Sequence, residues 1–253
     1  MSRATTTERS RPMKRTRNGI LIPDVPIMAG GNLPNAVKGM AGTSNIAPNL
    51  LPYYINVHTV IHINEGEGLE ISTDAKDWRP ITTETLTKGR YYFRAIADGN
   101  AGIKPNISIV EGELYDVGGN IASLATINYI TKQGKITFNG SFLSGQNIVS
   151  AKNLYLYPRI FKLGYSSLFK NCSNLTIAPT ILVNYIDSGC LGMFENCISL
   201  KYIRCLNEYE NTNMYDGWVR GLSTSGTFLK KRGINWPVGI SGIPNGWNII
   251  ELD

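Results

Sequence analysis

A 25-residue repeat constrains this chain more than any other feature. Gly164 recurs as Gly189, Leu168 as Met193, Phe169 as Phe194, Asn171 as Asn196, Cys172 as Cys197 and Leu175 as Leu200, all at an offset of 25. Self-similarity at a fixed short period is the mark of a stacked coil, in which each turn places the same positions at the same height. Apolar residues then share one continuous core, and each Asn can satisfy backbone groups at a bend. A weaker upstream copy is read from Asn153-Leu-Tyr-Leu-Tyr-Pro158 laid over Asn174-Leu-Thr-Ile-Ala-Pro179, 21 residues apart. Alternation within these segments predicts short strands with Leu154/Leu156, Leu175/Ile177 and Leu200/Tyr202 pointing inward, ended by Pro158 and Pro179. Tyr155, Thr176 and Lys201 would then form an outward ladder.

At these residues the chain resembles the BspA-like leucine-rich repeat proteins of Bacteroidales and their phages, whose repeat runs roughly M-F-x-G-C-x-x-L-x-x-A-P. Here it stands as Leu168-Phe169-Lys170-Asn171-Cys172-Ser173-Asn174-Leu175-Thr176-Ile177-Ala178-Pro179, with Asn in place of Gly before each Cys. Trp218-Val219-Arg220-Gly221, Ser225-Gly226-Thr227-Phe228 and Ser241-Gly242-Ile243-Pro244-Asn245-Gly246-Trp247 look like that family's closing segment. The resemblance implies a virion surface protein, such as a head fibre of a crAss-like Bacteroides phage. The expected fold is mainly β with short helices. It has an extended N-terminal arm (1–49), a small antiparallel Ig-like β-sandwich (50–116) and a short leucine-rich repeat domain with caps (117–253).

Charge separates the arm from the rest. Residues 1–17 carry Arg3, Arg9, Arg11, Lys14, Arg15 and Arg17 against Glu8, while the remainder balances 19 basic groups with 18 acidic ones. Arg15 and Arg17 together with the apolar run Ile20, Leu21 and Ile22 are the expected virion-docking residues, folding against capsid or other virion proteins. Nucleic acid is not the expected partner, because no aromatic or folded module accompanies the basic residues. After the arm, Tyr53 to Asn64 alternates, with Ile55, Val57, Thr59, Ile61 and Ile63 on one face. Gly118-Gly119 is taken as a chain break, and Asn120 as the cap of a short helix through Leu124. Asn211 or Asn213 is expected to cap a last helix carrying Tyr215, Trp218, Val219 and Leu222, and Trp247 to seal the end of the stack.

Chemistry-bearing motifs are sparse. His58 and His62 are four apart, but on a strand that spacing is about 13 Å, too far for one zinc ion. Ser72-Thr-Asp-Ala-Lys-Asp-Trp78 is a degraded Asp-box and is read as a hairpin device. Glu65, Glu67 and Glu70 read as a solvated acidic turn. Cys172, Cys190, Cys197 and Cys205 lack CxxC spacing and read as buried, reduced thiols. No cofactor or metal is expected. No apolar run reaches the ~18 residues of a membrane span, and no h-region follows the basic N-terminus. These absences imply synthesis in a host cytoplasm, and the resemblance implies the virion as the place of action. Tyr155, Tyr157, Thr176 and Lys201 are the candidate residues for binding a host-surface glycan or protein. A trimer is expected by analogy with fibre proteins, without heptads to support it. A bacterial cell-surface adhesin is the alternative reading. A carbohydrate-active enzyme is the third, since paired carboxylates can lie far apart in a chain.

Overall fold

The structure is a computed structural model, and it describes residues 14–15, 21–22, 51–65, 68–96, 108–110, 113–125, 138, 142–184, 186–209 and 213–252. The chain divides into two compact units, Met1–Gly31 and Asn32–Asp253. In the first, β1 (Lys14–Arg15) pairs antiparallel with β2 (Leu21–Ile22), setting Arg15 opposite Leu21. The rest of the expected arm, including Arg17 and Ile20, lies outside the described residues, as do the side chains of Arg15, Leu21 and Ile22.

The second unit is built on one sheet of 11 described strands. Six are β3 (Tyr53–Glu65), β4 (Leu69–Ser72), β5 (Arg79–Pro80), β6 (Glu84–Ala95), β7 (Ser108–Val110) and β8 (Tyr115–Asn120). Five more are β9 (Ile148–Tyr155), β10 (Ile177–Ile181), β11 (Tyr202–Cys205), β12 (Thr227–Lys231) and β13 (Asn248–Leu252). The order is β13-β12-β11-β10-β9-β8-β3-β6-β4-β5, with β7 also on β3. Pairing is antiparallel from β3 to β8 and parallel from β8 to β13. The expected Ig-like sandwich does not stand as a sheet of its own: the antiparallel strands belong to the same hydrogen-bonded sheet as the repeat strands, joined through β8.

That joint depends on two glycines taken from sequence as a break. Both lie inside β8. A Cβ on Gly118 would stand 2.3 Å from the Tyr54 ring. Gly119 has φ +73°, and a Cβ there would stand 2.0 Å from the Pro52 carbonyl oxygen. Only a residue without a side chain lets the two strands approach this closely in that conformation. Asn120 then caps the 3₁₀ turn Ile121–Leu124, its side chain accepting from the Ala122 N–H, as expected. On β3, Ile55, Val57, Ile61 and Ile63 are buried, but Thr59 is exposed because the register slips between Val57 and Val60.

Each turn of the stack joins its neighbours through an alternating set of backbone bonds. The N–H groups of Tyr165, Ser167, Phe169 and Asn171 donate to the next turn, at Gly189, Leu191, Met193 and Glu195. The residues between them, Gly164, Ser166, Leu168, Lys170 and Cys172, donate three positions back within their own turn. This demands a left-handed residue every fourth place: Leu163, Ser167 and Asn171, then Ser188, Gly192 and Asn196. Gly217 (φ 58°) and Gly221 (φ 74°) continue the series. The segment expected as a last helix is thus a third copy of the turn, with only Asn213–Tyr215 in a 3₁₀ helix. Asn211 lies outside the described residues.

Side chains lock the turns together at the same interval. Asn196 Nδ2 donates to Asn171 Oδ1 at 3.0 Å. Cys197 donates its thiol to the Phe169 carbonyl and Cys172 to that of Leu143, both at 2.9 Å. Phe169 and Phe194 stack at 5.6 Å, and Trp218 follows Phe194 at 5.9 Å. Lys170, Glu195 and Arg220 occupy one repeat position with alternating sign, at 2.9 and 3.8 Å. Trp247 closes the stack. It is buried, donates its indole N–H to the Ser223 carbonyl, and leaves room at Gly226 for no side chain.

The strand register corrects the weaker upstream copy. Ile177 pairs with Ser150 and with Tyr202, so Asn153 is not the partner of Asn174. Leu175 and Leu200 are buried as expected, but Ile177 and Tyr202 turn away from the core occupied by Ala178 and Ile203. Pro179 does not end β10; it sits within it, where the register shifts between Ile177 and Thr180 and no N–H is needed.

Candidate functional site

Alternation along the parallel strands leaves one face of the sheet turned from the core. Register partners trace a row across it: Arg90, Asn56, Asp116, Ser150, Ile177, Tyr202, Thr227 and Asn248. A second row over the last strands holds Thr180, Arg204, Leu229 and Ile250. This face is not an open solvated ladder. Leu229 is 1% exposed and Arg204 6%. Burial pushes the Tyr202 hydroxyl up to about 12, against the lowering effect of Arg204.

The four residues expected to bind a ligand do not form one row. Thr176 and Lys201 precede β10 and β11 and sit on adjacent turns, joined by the Lys201 N–H to the Thr176 carbonyl at 2.9 Å. The Thr176 hydroxyl donates to the Val149 carbonyl. Lys201 is exposed, yet its ammonium reaches the Ser223 and Ser225 hydroxyls and the Ser225 carbonyl. Tyr155 is the last residue of β9, opposite Asn120, and half-buried. Tyr157 lies beyond the strand and is 3% exposed, which removes it from any surface ladder. The alternation argument failed because the strands begin at Ile177 and Tyr202, after Thr176 and Lys201 rather than around them.

A groove of about 340 Å³ opens near β3 and β8, lined by His58, Glu113, Leu114, Asn147 and Asn174. His58 Nε2 lies 3.2 Å from Asp116 Oδ2, and Asn174 donates to Asn147 Oδ1 at 3.2 Å. His62 turns to a different partner, the Thr85 hydroxyl at 2.8 Å. The groove gathers hydrogen-bonding groups around an exposed Leu114, and among the described residues that line it there is no serine or cysteine. Sequence reasoning missed it because its walls come from four distant segments.

The four cysteines are buried and unbridged. Burial pushes the thiols of Cys172 and Cys205 up to about 12, and raises those of Cys190 and Cys197 as well. Thiols held in that state are packing groups and not nucleophiles. Among the described residues, no group of His, Cys, Asp and Glu is arranged to hold a metal ion. The sequence matches no family model, and no curated protein and no solved structure matches it.

Proposed function

We infer that this is a non-enzymatic structural protein of a phage virion, of the head-fibre or decoration type. Its basic N-terminal arm docks on capsid or another virion protein, and its repeat sheet is displayed toward a host-surface glycan or protein. The observation that carries this reading is the division of the chain into Met1–Gly31, which holds most of the net charge, and a separately compact Asn32–Asp253. A strongly basic segment suits attachment, and a self-satisfied stack of turns suits display. The inert thiols and the separated histidines fit a protein without a catalytic role. Tyr155 and Lys201 are the contact residues in this reading; Tyr157 and Thr176, committed to packing and to the Val149 carbonyl, serve the scaffold. A homotrimer is part of the proposal.

Recovery in purified virions tests it. Full-length protein should copurify with particles, and a chain lacking 1–49 should fold yet be lost from them. Retention of the truncated chain would move docking elsewhere. Recovery from bacterial envelopes and not from particles would favour the adhesin reading.

A further inference from the structure

Trp78 is held in place without being buried. The hairpin that carries it is locked by Asp74, whose Oδ1 accepts from the Ser72 hydroxyl at 2.9 Å and from the N–H groups of Lys76 and Asp77 at 2.8 and 3.0 Å. The Ser72 oxygen accepts in turn from the N–H groups of Asp74 and Ala75. The Arg94 guanidinium lies 4.3 Å from the centre of the indole, and Glu70 fixes that guanidinium at 2.6 Å. The other three tryptophans, Trp218, Trp236 and Trp247, are buried in the repeat half. A notch of about 180 Å³ opens at the Trp78 ring, with Tyr91 also lining it and Thr73, Asp77 and Arg79 supplying polar groups.

The geometry points to a binding site for a single neutral sugar ring, the terminal unit of a glycan. An indole fixed in advance offers a flat apolar surface to the C–H face of a pyranose at little ordering cost. The Asp77 carboxylate accepts from ring hydroxyls, while Thr73 and Arg79 supply donors. Size and charge narrow the class. The notch is smaller than the roughly 300–1,000 Å³ of pockets that enclose larger ligands, so it takes one ring and leaves the chain outside. Arg79 is already neutralised by Glu84, at 2.6 Å, which leaves little attraction for an anionic sugar. A cationic ligand would face the Arg94 charge already seated at the indole. The notch is distinct from the repeat face, and it extends the display reading to a second site whose test requires no virion.

The experiment follows the four indole N–H resonances of the full chain during titration with methyl glycosides of glucose, galactose, mannose, N-acetylglucosamine and fucose. A single ring should bind with a millimolar Kd, shifting the Trp78 signal saturably and leaving the buried indoles unmoved. Trp78→Ala should weaken that glycoside by about tenfold or more, and Trp78→Phe, which keeps a ring, by much less. Asp77 is exposed, so Asp77→Asn tests the rim without threatening the fold, and a loss of several-fold is expected. No saturable shift with any glycoside would overturn the proposal. So would tetramethylammonium binding more tightly than every glycoside, or unchanged affinity in both Trp78→Ala and Asp77→Asn.

Discussion

From β3 to β8 most strands are held by contacts found once, whereas from β9 to β13 each lies parallel to a counterpart one turn away. The antiparallel half uses ion pairs at particular places, Arg79 with Glu84 and Arg94 with Glu70, a bulge in β3, and a two-residue edge strand ending in Pro80. A short edge with a proline gives a foreign strand little to pair with. The repeat half uses the same bond many times: Asn to Asn, Cys to carbonyl, and N–H to the carbonyl of a neighbouring turn. Repetition of geometry forces repetition of residue type, so one half writes its plan in the sequence. The other half has no such redundancy.

The largest test asks whether the two halves are one cooperative unit. Phe194 is fully buried between Phe169 and Trp218, and Phe93 is fully buried beside Tyr53 in the other half. Phe194→Ala and Phe93→Ala should each cost about 3–5 kcal/mol, the range for an aromatic removed from a packed interior. Each variant should still unfold in a single calorimetric transition, because β8 joins the halves. Two transitions, with each variant shifting only its own, would divide the sheet into separate domains. A loss below about 1 kcal/mol at Phe194 would place it outside the shared core.

The joint itself gives the next effect. Gly119→Ala combines a left-handed backbone with a Cβ pressed on the Pro52 carbonyl, and should cost about 2–4 kcal/mol. Hydrogen exchange should rise first in β3 and β8, the strands that meet there. Unchanged stability would mean that β8 does not need the close approach, and that the union of the two halves is looser than the register implies.

What was legible in the sequence follows the same division. Phe169, Asn171 and Cys172 announced themselves because their counterparts do the same job 25 residues later. The third turn escaped notice because Trp218 stands where Leu168 and Met193 stood and Gly221 where the Asn residues stood. Backbone conformation is what those positions share, and Gly meets a left-handed requirement as readily as Asn. Gly118-Gly119 looked like a break because pairing between β8 and β9 is written in neither strand alone. The candidate site was less legible still. The Thr176 and Lys201 positions are neighbours as expected, but Tyr155 and Tyr157 were added through a register that the sheet does not adopt.

A smaller effect tests the repeat half alone. Ser167 holds φ 57° where the next two turns have Gly192 at 59° and Gly217 at 58°. A side chain in that region costs energy that glycine avoids. Ser167→Gly should therefore stabilise the protein by about 1 kcal/mol, raising Tm by about 2–4 °C. The converse, Gly192→Ala, should destabilise by a similar amount. If Ser167→Gly lowers Tm, the four-residue rhythm of left-handed positions is not what sets the turn.

The smallest effect tests the antiparallel half through acid. Asp74 has its carboxyl lowered to about 2 by the backbone N–H groups of Asp77 and Lys76 and by the Ser72 hydroxyl. A carboxyl lowered by folding favours the folded hairpin when ionised, so this contribution is present above the ordinary value of 3.8 and fades as pH falls toward 2. Asp187 and Glu251 are lowered too, by Lys162 and by Lys230, so acid reaches the repeat half as well. The difference lies in what screens them. Neighbouring cations hold those two carboxylates, and salt weakens that hold; fixed N–H donors dominate at Asp74 and are far less sensitive to salt. A carboxyl NMR titration should give an Asp74 midpoint near 2 that barely moves when salt is raised, while the midpoints of Asp187 and Glu251 climb. Ser72→Ala removes one donor and should carry the Asp74 midpoint toward 3.8. A wild-type midpoint already near 3.8 would mean that the hairpin is not locked in solution, and Trp78 would then lose the fixed position on which sugar binding at the notch depends.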